Sequence, residues 1–301
     1  MVSFILIILT SLFFTGIVVR TKSRTSGRRG PGIFQPVKDV VRLWKKGSVY
    51  SHTTSLIFQI APSVYLSSAL MAVLMVPHGS HPGFISFDGD FVMFAYTLAI
   101  GKFLMIVSAL DTGSSFEGMG AAREALYSML AEPAFFVLMG SFSLFTGQTS
   151  FHGIFSALHY GSSVSYMLGA LAAFVFIFIA MIENSRMPVD DPKTHLELTM
   201  IHEVMVLDNS GFDLGLITYT SYLKFALYGA IISNFFIGSM SYLFSIPAFF
   251  GIQICFAVAV GLIESFMARF RLGHNPQFIF ILTSVSSLIF FGVLLVMGKF
   301  I

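Results

Sequence analysis

Carboxylates and basic side chains set close together inside otherwise apolar sequence are the residues of this chain able to do chemistry. The densest run is IENSRMPVDDPKTHLELTMIHEVMVLDNSG, from Ile182 to Gly211. Glu183 and Arg186 are three apart at the end of an apolar stretch, so they can pair if the helix continues. Pro188 and Pro192 force an irregular turn that presents Asp190 and Asp191. Thr194 with Glu197 has capping-box spacing and predicts a following helix that carries His195, Glu197, His202 and Glu203. On it the two histidines share a face about 10 Å apart, too far for one metal ion. The string HEVMV also lacks the second histidine of the zinc-protease motif, so no metal site is expected.

A second run, DTGSSFEGMGAAREALYSMLAEP, extends from Asp111 to Pro133. Its Gly/Ser cluster suits a loop, and the sequence from Gly120 onward suits a helix. Glu117 and Glu124 are seven apart and share a face, with Glu132 offset by roughly a quarter turn. Glu132 stands where the chain enters an apolar stretch, a costly place for an ionisable group unless a partner or water faces it. Arg123 beside Glu124 reads as an interfacial pair. Lys102 and Lys224 fall inside apolar runs, where an ammonium needs a carboxylate partner or shifts its pKa. Glu264 ends another such run, and Arg269 and Arg271 follow it. In RRGPGIFQP, Arg28 to Pro36, two prolines and two glycines exclude a regular helix and leave Arg28 and Arg29 at a polar boundary. Beyond it, Val37, Val40, Val41 and Trp44 oppose Lys38, Arg42 and Lys45, the pattern of a helix lying in a membrane interface.

These groups must be positioned by elements in lipid. Mean hydropathy over the 301 residues is +0.83 and charged residues are 11%, under half the ~25% usual in soluble domains. Apolar stretches able to cross a ~30 Å hydrocarbon core fall at 2–19, 55–76, 91–110, 134–147, 163–182, 216–242, 246–263 and 277–298. The fourth is short alone and borrows from 118–131, with Pro133 marking a break or kink. Residues 2–19 are expected to be a retained helix, because the basic residues Arg20, Lys22 and Arg24 follow the apolar core where a signal peptide would carry them in front. The expected fold is all-α: one polytopic domain over 1–301, about eight transmembrane helices and one amphipathic interfacial helix.

Fourteen of the 17 basic residues lie in loops on one side, which makes that side cytoplasmic and puts both termini outside. Most carboxylates share that side; they either form a proton path or docking surface, or merely neutralise nearby Arg and Lys. There is no clustered basic face on a soluble domain, which excludes nucleic acid as a partner. The single cysteine, Cys255, cannot hold an iron-sulfur cluster, which usually takes four.

In this order, RRGPGIFQP, GMGAARE with Glu132, ENSRMPVDDP and the Arg269/Arg271 pair resemble the membrane-anchor subunit shared by respiratory complex I and the group 4 energy-converting nickel-iron hydrogenases, formate hydrogenlyase included. The likeness spans most of the chain. PVDDPKTHLELTMIHE looks like the hydrogenase-type loop, whereas complex I homologues typically have PFDL and a shorter connection. Two departures stand out: Glu117 where the hydrogenase branch usually has glycine, and LDNSG in place of the more usual LEYSG.

The resemblance implies a subunit of the prokaryotic cytoplasmic membrane without its own redox centre or catalytic activity. It would clamp hydrogenase-like large and iron-sulfur small subunits to the bilayer, with the iron-sulfur clusters and nickel-iron in those partners. Its loops would form a chamber, the quinone cavity in complex I, from which carboxylates relay a charge change toward antiporter-like neighbours. By position, Glu132, Glu183, Arg186, Asp190, Asp191, Glu197 and Glu203 would belong to that relay and chamber, with Glu124, Glu264 and Lys224 beside them. Arg28, Arg29, Arg269 and Arg271 would face the soluble module. The alternatives are a quinone-reducing, complex I-like NADH dehydrogenase subunit, and a stand-alone ion transporter. No inverted repeat of the kind many transporters show is visible.

Overall fold

A computed structural model describes residues 2–158, 163–191, 200–238 and 240–298. The described chain is helical, in the order α1 (Val2–Thr25), α2 (Gln35–Trp44), α3 (Leu56–Met75), α4 (Asp90–Asp111), α5 (Ser115–Thr146), α6 (Phe151–Leu158), α7 (Ser163–Glu183), α8 (His202–Met205), α9 (Gly211–Ile237), α10 (Tyr242–Phe266) and α11 (Asn275–Val296). Each of the eight expected apolar stretches corresponds to a long helix, although the sixth, 216–242, overruns α9, which ends at Ile237. Seven of these, α1, α3, α4, α5, α7, α10 and α11, are long and apolar enough to cross a bilayer. The eighth, α9, has 27 residues, about 40 Å at 1.5 Å per residue. It is less apolar because it carries Lys224, Ser233 and Asn234, but those side chains are buried. It packs against α1, α3, α7 and α10, so protein rather than lipid surrounds it.

Side-chain and loop contacts sort the helix ends. At one end Gly89 N–H donates to the Thr149 carbonyl, Gly79 N–H to Asn234 Oδ1, and His78 Nε2 lies 3.2 Å from Ser245 Oγ. At the other, Lys22 and Arg186 meet Glu264, Arg269 meets Asp190, and Asp208 N–H donates to Glu117. The second group holds the loops that follow α1, α4, α7 and α10, which are the basic loops of the sequence.

Three expectations about the elements change. The loop after Asp111 is only three residues long, because Gly113 at φ +71° turns the chain and α5 starts at Ser115. Pro133 makes no break: α5 runs through it for 32 residues, and the one backbone bond it removes does not interrupt the helix. Glu132 therefore lies 17 residues into α5, ~25 Å along the axis, well inside the span rather than at its entrance. The helix expected to run from Thr194 through His202 and Glu203 is interrupted at Met200, which is not helical, and His202 and Glu203 lie in the one-turn helix α8. Pro192, Lys193, Thr194, His195 and Glu197 lie outside the described residues. An unexpected short helix, α6, buries Phe151, Ile154, Phe155 and Leu158, the i, i+3, i+4, i+7 stripe of an amphipathic helix.

The RRGPGIFQP segment is seated by a close approach. A side chain on Gly16 of α1 would strike the Ile33 backbone carbonyl. From there α2 runs across α1 and α9, with Val40 buried and the Trp44 ring 5.6 Å from Tyr219. Gly16→Val should displace this segment and cost about 1–3 kcal/mol by overpacking. A lowered detergent melting temperature, together with new protease sensitivity between Arg24 and Gln35, is the expected readout.

Candidate ion-coupling site

The relay candidates fall into three groups joined by named contacts. At the centre is Lys102 of α4, whose Nζ lies 3.0 Å from Glu124 Oε1, 2.9 Å from Glu183 Oε2 and 2.8 Å from Ser128 Oγ. Lys224 of α9 stands 3.7 Å from the same Glu183 oxygen, with its ammonium 4.7 Å over the Tyr65 ring. Lys224 is fully buried and makes no hydrogen bond among the described residues. Two carboxylates and two ammoniums thus alternate in the core, drawn from four spans: Lys102 from α4, Glu124 from α5, Glu183 from α7 and Lys224 from α9. Sequence reasoning gives Lys102 only as an ammonium in need of a partner; the fold makes it the hub.

The second group lines a chamber at the end of the bundle that carries the basic loops. A cavity of about 440 Å³ is bounded by α1, α2, the turn after α7, α8 and α9, and Asp39, Ser185, Arg186, His202, Glu203 and Tyr222 line it. Arg186 is not paired with Glu183. Helix α7 ends at Glu183 in a Schellman turn: Arg186 N–H donates to the Met181 carbonyl and Ser185 N–H to the Ile182 carbonyl. Ser185 takes the left-handed residue of that turn at φ +48°, which swings Arg186 off the helix line. Arg186 instead lies 3.3 Å from Glu264 Oε1 and 5.5 Å over the Phe225 ring. Ser185 both lines the chamber and donates to Glu124 Oε2 at 3.0 Å. A serine in this backbone region costs about 1–2 kcal/mol, and here its hydroxyl bridges chamber and cluster.

The third group is Glu132 with its surroundings. Glu132, Lys102, Ser128, Glu183 and Tyr228 line a cavity of about 40 Å³ between α4, α5, α7 and α9. One water needs ~10–15 Å³, so this cavity accommodates solvent between the cluster and Glu132. The Glu132 side chain is exposed on the outside of the helix bundle and makes no ion pair among the described residues. An uncompensated carboxylate facing hydrocarbon at this depth is expensive.

The other candidates take structural positions around the chamber. Asp190 is buried and accepts hydrogen bonds from the backbone N–H groups of Asp191, Ile201 and His202, while Arg269 lies 2.8 Å away. Burial pushes the Asp190 carboxyl above its ordinary range, against the pull of those donors and of Arg269. Arg269 is thereby committed to tying the loop after α10 to the loop after α7, whereas Arg28, Arg29 and Arg271 are exposed. Arg123 makes no pair with Glu124; it donates to the Met200 carbonyl at 3.0 Å, bracing the same loop. Gly120 leaves room for that loop, since a Cβ there would meet the Ile201 carbonyl and the Met205 N–H. Tyr50 donates to Asp213 at 2.7 Å, and that bond together with burial pushes its hydroxyl above the ordinary value, so it stays a donor at neutral pH.

Asp190→Ala should release Asp191, Ile201, His202 and Arg269 at once, costing about 3–5 kcal/mol as a broken buried pair. The expected signature is fast amide exchange confined to residues around 188–203. Unchanged exchange there would show that Asp190 is not the tie.

The whole arrangement is a chain of ionisable groups running from an open chamber, through a buried four-charge cluster, to a carboxylate on the lateral surface. Residues 1–295 match the family described as NADH dehydrogenase. The chain belongs to this family. Hydrogenase-4 component C of Escherichia coli (strain K12) is 34% identical over 194 residues, 64% of this chain and 61% of that one. This NADH dehydrogenase family chain thus spans about three-fifths of that relative's length. Formate hydrogenlyase subunit 4 of the same organism is 27% identical over 276 residues, 87% of each chain. An NADH-quinone oxidoreductase subunit of Flavobacterium psychrophilum is 22% identical over 255 residues, 79% of this chain and 73% of that one. The likeness read from the motifs, to a membrane subunit common to hydrogenases and complex I, is borne out by relatives of both kinds. A chain in the structure of the membrane-bound sulfane sulfur reductase, an archaeal respiratory membrane complex, superposes with a TM-score of 0.81 over 96% of each chain at 18% identity. It shares the fold.

Proposed function

We propose that this chain is the membrane-anchoring and ion-coupling subunit of an energy-converting, hydrogenase-like oxidoreductase complex. The observation that carries this reading is the outward-facing Glu132, linked by a solvent-sized cavity to the Lys102–Glu124–Glu183–Lys224 cluster and through Ser185 to the chamber. A soluble redox module seated over the chamber would change the charge there. Arg186, Glu203 and Glu264 would sense that change, and the buried cluster would pass it on as a shift in proton occupancy. Each pKa unit of such a shift is worth about 1.4 kcal/mol. An antiporter-like membrane subunit against α4 and α5 would shield Glu132 from lipid and receive the proton.

In this reading the electron chemistry belongs to partners, a large subunit with nickel-iron and a small subunit with iron-sulfur clusters, and this chain holds no cofactor. Arg28, Arg29 and Arg271, together with exposed Phe34 and Phe266, face the soluble module. Both termini lie outside the cytoplasmic membrane. Identity to hydrogenase-4 component C and formate hydrogenlyase subunit 4, 34% and 27%, exceeds that to the quinone-linked relative at 22%, which favours the hydrogenase branch. The size of the chamber favours a second reading, in which quinone enters it; a quinone analogue that inhibits turnover would support that reading.

The test is purification of the chain in mild detergent and identification of its companions. Co-purification of a nickel-iron large subunit, an iron-sulfur small subunit and an antiporter-like subunit is expected. A chain that migrates alone and conducts ions in liposomes overturns the proposal.

A further inference from the structure

The basic end of α1 does not spend all its charge on the protein. Lys22 is committed to Glu264 at 3.5 Å. Arg20 and Arg24, one turn apart on the same face of α1, make no ion pair among the described residues, and Arg24 is exposed. Both line a groove of about 350 Å³ with Ile17, Thr21, Ile33 and Val258. That volume is within the ~300–1,000 Å³ of small-molecule sites.

The groove sits at the membrane boundary. Arg20 is five residues from the end of α1, and Ile33 leads into the interfacial helix α2. Toward the bilayer centre its apolar wall continues along the α1–α10 seam, where Phe13 packs 6.0 Å from Phe250 and Ile254 is exposed. Two guanidinium groups stand at the polar mouth and an apolar track runs below them.

We propose that this groove is a binding site for an anionic phospholipid, with the phosphate held by Arg20 and Arg24 and an acyl chain lying along Ile17, Val258 and Ile254. Guanidinium forks match phosphate oxygens in pairs, which an ammonium does not do, and basic pockets between helices on the cytoplasmic side suit such headgroups. The acyl track distinguishes a lipid from free phosphate, which would gain nothing from it. A lipid held here would also brace the RRGPGIFQP segment, whose Ile33 forms one wall.

The experiment is native mass spectrometry of the full chain, in whatever complex it assembles, titrated with phosphatidylglycerol, phosphatidylcholine or glycerol 3-phosphate. Phosphatidylglycerol should be retained in preference to phosphatidylcholine, and glycerol 3-phosphate should not be retained. The pair Arg20→Gln with Arg24→Gln should weaken phosphatidylglycerol retention roughly 10- to 30-fold, taking each basic residue at its usual membrane-surface contribution. Arg20→Lys with Arg24→Lys, which keeps charge and fold, should give an intermediate loss. Val258→Trp should also reduce retention with both arginines intact. Lys38→Gln with Arg42→Gln, on the exposed face of α2, should leave it unchanged. Equal loss from the α2 pair, retention of the headgroup alone, or no loss from the α1 pair would each overturn the proposal.

Discussion

Lys102→Met is expected to destabilise the folded chain by about 3–5 kcal/mol, the range for removing one partner of a buried ion pair. Its ammonium is the shared contact of Glu124 and Glu183. Without it two carboxylates with little solvent access remain close together, and Lys224 at 3.7 Å from Glu183 cannot serve both. The outcome should be poor accumulation in the membrane and a sharply lowered melting temperature in detergent. Adding Glu124→Gln to Lys102→Met should recover a substantial part of the loss, because the change removes one stranded charge while keeping shape. That pattern separates electrostatic destabilisation from simple cavity formation: a cavity effect would be untouched by the second substitution.

Glu132→Gln should behave in the opposite way. Glu132 has no ion pair among the described residues and its side chain reaches the bundle surface, so the amide should cost no more than about 0.5 kcal/mol. The complex should assemble with its electron-transfer rate largely intact. Ion translocation should fall by roughly 10²-fold, the scale for losing a positioned proton-transfer group. Proteoliposomes that report turnover and internal pH together measure both quantities. Glu183→Gln, in contrast, removes the charge that holds two lysines, so it should lose stability as well as coupling. Normal pumping by the Glu132 variant would remove it from the relay.

The eight apolar stretches, the interfacial helix and the family motifs were all legible in the sequence, because lipid imposes length and composition on every span. Side-chain pairing was not. Glu183 and Arg186 have helical spacing, yet the left-handed Ser185 ends the helix between them, a conformation that glycine usually announces and serine does not. Lys102 meets Glu124 and Glu183 only because α4, α5 and α7 adjoin in one register, and no local pattern encodes that register. Asp190 finds Arg269 79 positions away. Pro133 suggests a break that would set Glu132 at the entrance of a span, whereas α5 runs through it unbroken and carries Glu132 to mid-helix. The stripe of α6 was present in FHGIFSAL but, at eight residues, too short to rise above its loop.

In the proposed mechanism the acid–base cluster and Glu132 change protonation as the redox module turns over. Infrared difference spectra between the oxidised and reduced complex measure this directly through the carboxyl stretch. A redox-dependent carboxylic band is expected, one that disappears in Glu132→Gln while the cofactor bands stay in place. An identical difference spectrum in the variant would contradict it.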